Sequence, residues 1–237
     1  MDQRNMDTVK VKTILMDVDG TMTRLLGAKP AVKRSHWTIF VDMVMKQHGL
    51  SRTEAEERIK SYGNVELQCI STFLKPLKIC PETYFAELTK LFSETIEIPE
   101  DTLLFFRNVK EKGIPLCTAT TNPPFMTHAK LSVAGIASLN GCEYLTRYHS
   151  GNEFDDPLGK FSPHFFPNIL KHHGYDPAYT MMIGDEPKRD LYPALEAGIR
   201  YCVIIDRNQK EDIIEKEGGI FIRAYRVLIN KIKNTGG

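Results

Sequence analysis

The stretch TILMDVDGTMT (residues 13–23) sets two carboxylates at the mouth of an apolar run. Ile14, Leu15 and Met16 read as a buried strand. Asp17 and Asp19 follow two residues apart, with Gly20 directly behind. In extended chain, residues i and i+2 face the same side. Like charges held that close repel, and burial raises the cost. Such a pair calls for a cation between the acids. Taken alone, Asp-Gly is also a plain turn signal, because both residues tolerate turn dihedrals.

The chain around this stretch reads in two textures. From about residue 23 to 96 it is helical. SHWTIFVDMVMKQHG (35–49) spaces Trp37, Phe40, Val41 and Val44 for one helix face and stops at Gly49. SRTEAEERIKSYG (51–63) opens with the capping-box pair Ser51 and Glu54. PETYFAELTKLF (81–92) opens with Pro81, and its Tyr84, Phe85, Leu88, Leu91 and Phe92 line one face as core. From Pro99 onward, short apolar strands alternate with helices. IPLCTATT (114–121), CEYLT (142–146), TMMIGD (180–185), RYCVII (200–205) and GIFI (219–222) are the strand candidates. PHFFPNILKHHG (163–174) reads as a helix that Pro167 would kink. Alternation of this kind predicts an α/β fold with a parallel sheet covered on both faces. The expected division is a parallel-sheet core of residues 1–22 and 97–237, with residues 23–96 inserted as a smaller helical domain.

The chain has 237 residues, 31 Lys and Arg against 30 Asp and Glu, and a net charge of +1. That balance offers no electrostatic footprint for nucleic acid or an anionic membrane. The apolar runs are too short to span a bilayer. The opening MDQRNMDTVKVK is polar and lacks the apolar segment of a secretory signal. Five cysteines without a Cys-x-x-Cys pair suit a reducing compartment, so a cytoplasmic protein is expected. Oligomeric state is left open.

In open parallel sheets, ligands bind beyond the carboxyl ends of the strands. Asp17 and Asp19 stand at one such end, and Thr120, Thr121 and Asn122 at a second. Asp185 and Glu186 stand at a third, with Asp190 five residues on. Lys160 precedes a helix in LGKFSP (158–163). Singly, each has an ordinary reading: GDEPKRD (184–190) as an acidic helix start, Lys160 as a surface lysine, Thr-Thr-Asn as a loop. Together and in this order they form a set. A calcium loop would need its glycine at the sixth position, and Gly20 is at the fourth counted from Asp17. No phosphate-binding G-x-x-x-x-G-K-[ST], G-x-G-x-x-G or H-E-x-x-H occurs. The seven histidines show no ligand pattern in the sequence.

DVDGT, a threonine ending the next core strand, a lysine before a helix and GDxxxxD resemble the four motifs of the haloacid dehalogenase-like hydrolases, over Ile14 to about Ile205. The resemblance implies a Rossmann-like core, a helical cap inserted between the first and second motifs, and Mg²⁺-dependent phosphatase activity on a small phosphorylated metabolite. It implies Asp17 as the nucleophile that forms an aspartyl-phosphate and Asp19 as general acid and base. Thr121, or Thr120 if the strand ends one residue earlier, would hold a phosphate oxygen together with Asn122. Lys160 would neutralise nucleophile and phosphate. Asp17, the backbone carbonyl of Asp19, and Asp185 would bind the metal, with Glu186 and Asp190 in its outer shell. Members that are dehalogenases lack the second acid, so Asp19 favours phosphoryl chemistry. The alternatives are a phosphotransferase of the β-phosphoglucomutase type and a non-catalytic phosphate-binding protein; a receiver domain is too short to match. Arg24, Lys29, Lys33 and Arg34 are either substrate contacts or solvated surface charge.

Overall fold

The computed structural model describes residues 9–27, 34–65, 68–154, 156 and 158–234. Its central sheet has seven strands: β1 (Thr13–Met16), β2 (Leu116–Thr120), β3 (Arg147–Ser150), β4 (Thr180–Gly184), β5 (Tyr201–Ile205), β6 (Ile213–Lys216) and β7 (Gly219–Ile222). Their order is β6-β7-β5-β4-β1-β2-β3, parallel throughout except for the β6–β7 pair. β1 is an inner strand between β4 and β2, with Leu15 opposite Cys117 on one side and Met182 on the other. Strands covered on both faces need no polar alternation. Every residue of β1, β2 and β4 is buried. From β1 the chain builds outward to β2 and β3, then returns to β4 on the opposite side. The reversal beside β1 is the kind of switch point where such sheets bind ligands.

The described residues carry nine α-helices: α1 (His36–His48), α2 (Arg52–Lys60), α3 (Ser71–Leu74), α4 (Pro81–Thr95), α5 (Glu100–Glu111), α6 (Pro124–Leu131), α7 (Phe165–His173), α8 (Tyr192–Glu196) and α9 (Arg226–Ile229). Capping explains several starts. Ser35 and Thr38 form a reciprocal box at α1, as do Ser51 and Glu54 at α2. Pro167 does not kink α7. It occupies the third helical position, where its missing N–H is one of the donors a helix start leaves unpaired. Among the described residues no helix is long and apolar enough to cross a membrane.

The chain divides into two compact units. One runs through Arg24, then from Ile98 to Thr121 and from Tyr144 onward, and contains the sheet. The other comprises Leu25–Glu97 and Asn122–Glu143. Its core gathers Ile39, Phe40, Val44, Tyr84 and Leu88, with Tyr84 stacked on Phe125 at 5.7 Å. Residues 122–143 therefore associate with the helical block, although the sequence places them after a core strand. Ala129 and Phe125 on α6 carry the apolar contacts responsible. Arg24–Leu25 and Ile96–Glu97 pair as a short ribbon where the chain enters and leaves that block.

CEYLT is not a strand of the main sheet. Gly141–Cys142 closes a small hairpin with Ala137–Ser138, and the sheet strand comes later, as RYHS. It is an edge strand, so its sequence lacks the continuous apolar run of the inner ones. The C-terminal AYRVLINKIK yields one helical turn, α9, and then Ile232–Asn234, which pairs in parallel with Val9–Val11.

Leu15 sits fully buried between β2 and β4. Leu15→Ala should lower unfolding stability by ~2–5 kcal/mol through lost burial and the cavity left behind. Urea denaturation measures it, and an unchanged midpoint would contradict this placement of the core.

Candidate active site

Asp17 leaves β1 in extended conformation, and its N–H donates to Ile183 O on β4 at 2.9 Å. That bond locks the first acid to the strand that delivers Asp185. The following residues, Val18–Met22, wind through a loose turn in which Gly20 takes φ 77°. Gly20 is required twice over. The left-handed backbone disfavours a side chain, and a Cβ there would lie 2.0 Å from Asp185 Oδ2. Gly184 has a similar constraint, since its Cβ would lie 2.1 Å from Asp190 Cγ. The two glycines let the acid-bearing turns close on each other.

Lys160 is buried between the acids. Its Nζ is 2.6 Å from Asp17 Oδ1 and 2.6 Å from Asp190 Oδ1. Asp190 Oδ2 accepts from the backbone N–H groups of Asp185 (3.1 Å) and Glu186 (3.0 Å), which shapes the turn after β4. Asp185 Oδ1 accepts from Thr21 Oγ1 at 3.2 Å. Burial raises the Asp17 carboxyl, Lys160 pulls it back, and Asp190 adds to the rise; the result is a value of about 6. Burial also raises Asp185, with help from Asp190. For Lys160, burial works against the charge, but Asp17 and Asp190 outweigh it and hold the ammonium above its ordinary range.

Oxygen atoms of Asp17, Asp185 and Asp190 lie within 4.8 Å of one another. This all-oxygen set fits a hard divalent cation such as Mg²⁺. Both oxygens of Asp190 are already committed, to Lys160 and to the turn N–H groups. Asp17 and Asp185 are thus the carboxylates suited to direct ligation, and Asp190 supports them.

The other sequence candidates fall variously. Asp19 is exposed, one residue before Gly20. β2 ends at Thr120, which is buried; Thr121 is the exposed residue just past the strand end. Asn122 belongs to the helical unit and accepts from Lys130 Nζ at 2.8 Å. Glu186 pairs with Arg189 at 3.1 Å. Arg34 pairs with Glu87 at 3.4 Å, inside the helical unit. Arg24 is exposed, and Lys29 and Lys33 lie outside the described residues.

Sequence reading missed the supports. Tyr225, fully buried and stacked on Phe105 at 5.0 Å, donates through its hydroxyl to Thr21 O at 3.0 Å. Its own N–H donates to Asp101, which pairs with Arg207 at 3.0 Å. These residues steady the turn that carries Thr21 to Asp185. No local motif marks them, because the contact joins positions 204 apart.

The model of the haloacid dehalogenase-like hydrolases matches residues 11–198. No curated protein matches the chain. Among solved structures, a HAD phosphatase from Thermococcus onnurineus is 20% identical, covering 92% of this chain and 96% of its own, at a TM-score of 0.53. CbbY from Rhodobacter sphaeroides, solved with phosphate, is 18% identical over 92% and 96%, also at 0.53. YfnB from Bacillus subtilis, solved with magnesium, is 16% identical over 92% and 97%, at 0.52. At such identities the likeness is one of fold.

The raised Asp17 carboxyl has a consequence for stability. A folded-state value of about 6 against an ordinary 3.8 means that the folded chain holds this proton more tightly than the unfolded one. The stability so contributed is complete below the ordinary value and is lost as pH rises through about 6. In metal-free protein, Asp17→Asn should therefore flatten the fall in melting temperature between acid and neutral pH. Parallel melting profiles for the two proteins would contradict the assignment.

Proposed function

The chain belongs to the haloacid dehalogenase-like hydrolases, and on that premise we propose that it is a Mg²⁺-dependent phosphatase of a small phosphorylated metabolite. The observation that carries this is the Lys160 ammonium, 2.6 Å from Asp17 and 2.6 Å from Asp190, with Asp185 beside them. A phosphate ester is an anion, and a carboxylate attacks it only where that repulsion is cancelled. Lys160 supplies one positive charge. Mg²⁺ held by Asp17 and Asp185 would supply the other, as an electrostatic clamp on phosphate oxygens.

Two half-reactions follow. A carboxylate oxygen of Asp17 forms a bond to phosphorus as the ester P–O bond breaks, and Asp19 gives its proton to the departing alkoxide. Asp19, now a carboxylate, takes a proton from water whose oxygen bonds to phosphorus. The Asp17–phosphoryl bond breaks and orthophosphate leaves. Thr121, exposed past the end of β2, is the candidate hydroxyl for a phosphate oxygen. The helical unit is read as the family's cap, which selects the substrate.

A panel of phosphorylated metabolites with Mg²⁺, read as free phosphate, tests this reading. Turnover should vanish with a chelator and return with added Mg²⁺; full activity in the chelator would contradict the metal assignment.

Asp19 can be tested apart from Asp17. An alkoxide needs a proton as it leaves, whereas nitrophenolate does not. In single-turnover bursts, Asp19→Ala should slow phosphoryl transfer from alkyl phosphates by about 10²–10⁴-fold, the usual worth of general acid help, and far less from nitrophenyl phosphate. Equal losses on both would mean that Asp19 serves metal or structure instead.

A further inference from the structure

β3 ends in His149 and Ser150, and shortly after it Glu153 turns its carboxylate back between two imidazoles. Glu153 Oε2 is 2.9 Å from His149 Nδ1, and Oε1 is 2.8 Å from Nε2 of His173, at the end of α7. The two rings lie 4.4 Å apart. On the far sides, Arg147 is 3.1 Å from His173 Nδ1, and the Tyr175 hydroxyl is 3.2 Å from His149 Nε2. Cys117 Sγ stands 3.6 Å from that hydroxyl. The proposed reaction uses none of these groups.

The partners fix the protons. Arginine only donates, so His173 Nδ1 accepts and its proton sits on Nε2, facing Glu153. An ionised carboxylate only accepts. His149 therefore presents its proton on Nδ1, while its Nε2 accepts from Tyr175. Burial holds His149 below its ordinary range, which keeps it neutral. The donor types and their spacing, all within 4.8 Å, would also suit a zinc-class ion. A metal on His173 Nε2 would drive that proton to Nδ1, against the guanidinium. The hydrogen-bonded form is the one these contacts favour.

Between His149 and Glu153 lies Gly151, and Gly151 packs directly on Gly159. A Cβ on Gly159 would be 3.0 Å from both Cα and O of Gly151; one on Gly151 would be 3.6 Å from the backbone N of Lys160. The backbones touch because neither residue has a side chain. The next residue after Gly159 is Lys160, which reaches Asp17 and Asp190.

We infer that Glu153 is a positioning residue for Lys160: by clasping His149 and His173 it fixes Gly151, on which Gly159 is seated, and so sets where the ammonium begins. Its catalytic relevance rests on the proposed role of Lys160, but its structural consequence does not. The test is therefore read first without substrate, as the rate at which an amine-acylating reagent modifies Lys160, followed by peptide mass spectrometry. Wild-type Lys160, buried, should be protected. Glu153→Ala should be acylated about tenfold faster or more, since local opening governs access to a buried group, and should raise KM for the phosphate ester more than it lowers kcat.

Glu153→Gln should rescue both. The amide oxygen can take the His173 proton, and the amide N–H can donate to His149 Nδ1. The His149 proton then moves to Nε2, where the Tyr175 oxygen accepts it; imidazole ¹⁵N shifts would record that change of tautomer. Glu153→Gln combined with Tyr175→Phe should lose the rescue, and carries the test if Glu153→Ala does not fold. Unchanged Lys160 labelling in folded Glu153→Ala would overturn the inference. So would one equivalent of zinc bound by the wild type and lost in Glu153→Ala. Faster labelling, in a protein whose wild type turns over no phosphate ester, would sustain the clasp while the phosphatase reading fell.

Discussion

A single ammonium group, Lys160 Nζ, stands 2.6 Å from carboxylate oxygens of both Asp17 and Asp190 in a setting nearly closed to water. Asp17 and Asp190, both buried, cannot both remain charged without such a partner. The attraction is bounded by the cost of desolvating the ions, so the net gain in stability is small. Removing one partner is another matter, because the charge left behind costs ~3–5 kcal/mol. The surrounding backbone is arranged to make this contact possible. Gly20 and Gly184 admit Asp185 and Asp190 to the space a side chain would fill, and Gly159 brings Lys160 close by packing on Gly151. The site is thus built where three chain segments, around Asp17, Lys160 and Asp185–Asp190, are pressed together at the carboxyl edge of β1 and β4.

Much of this was legible in the sequence. An apolar run ending in Asp17-Val18-Asp19-Gly20-Thr21 marks a buried strand followed by a forced turn, and TMMIGD repeats that logic in β4. Fully buried inner strands advertise themselves by unbroken hydrophobicity. The edge strand β3 does not, since Arg147, Tyr148 and His149 carry polar groups that find partners at the sheet's margin. The same polarity concealed the His149–Glu153–His173 cluster, whose members are close only once the end of α7 reaches β3. Tyr225 was equally invisible: its hydroxyl meets the backbone of Thr21 across most of the chain. Asn122 shows the limit from the other side. It adjoins Thr121 in sequence, yet it takes its place in the helical unit, where Lys130 bonds it.

The family match ends at residue 198, whereas Arg207 and Tyr225 lie beyond it and still bear on the turn after β1. A shared fold supports many chemistries, so function has to be argued from the site. Here that argument turns on the second acid. Asp17 alone would suit any nucleophilic displacement by a carboxylate. Asp19, exposed on the adjoining turn, would add a proton donor under the proposed reading, and a proton is what an alkoxide leaving group requires.

The most direct measurement is to stop the reaction early and look for the phosphoryl group. The protein is mixed with a turned-over phosphate ester and Mg²⁺, quenched in acid within one turnover, digested and sequenced by mass spectrometry. A phosphoryl adduct on Asp17, labile to hydroxylamine as an acyl phosphate should be, is the expected result. An adduct on any other residue, or turnover with no adduct at all, would contradict Asp17 as the nucleophile and with it the role assigned to Lys160.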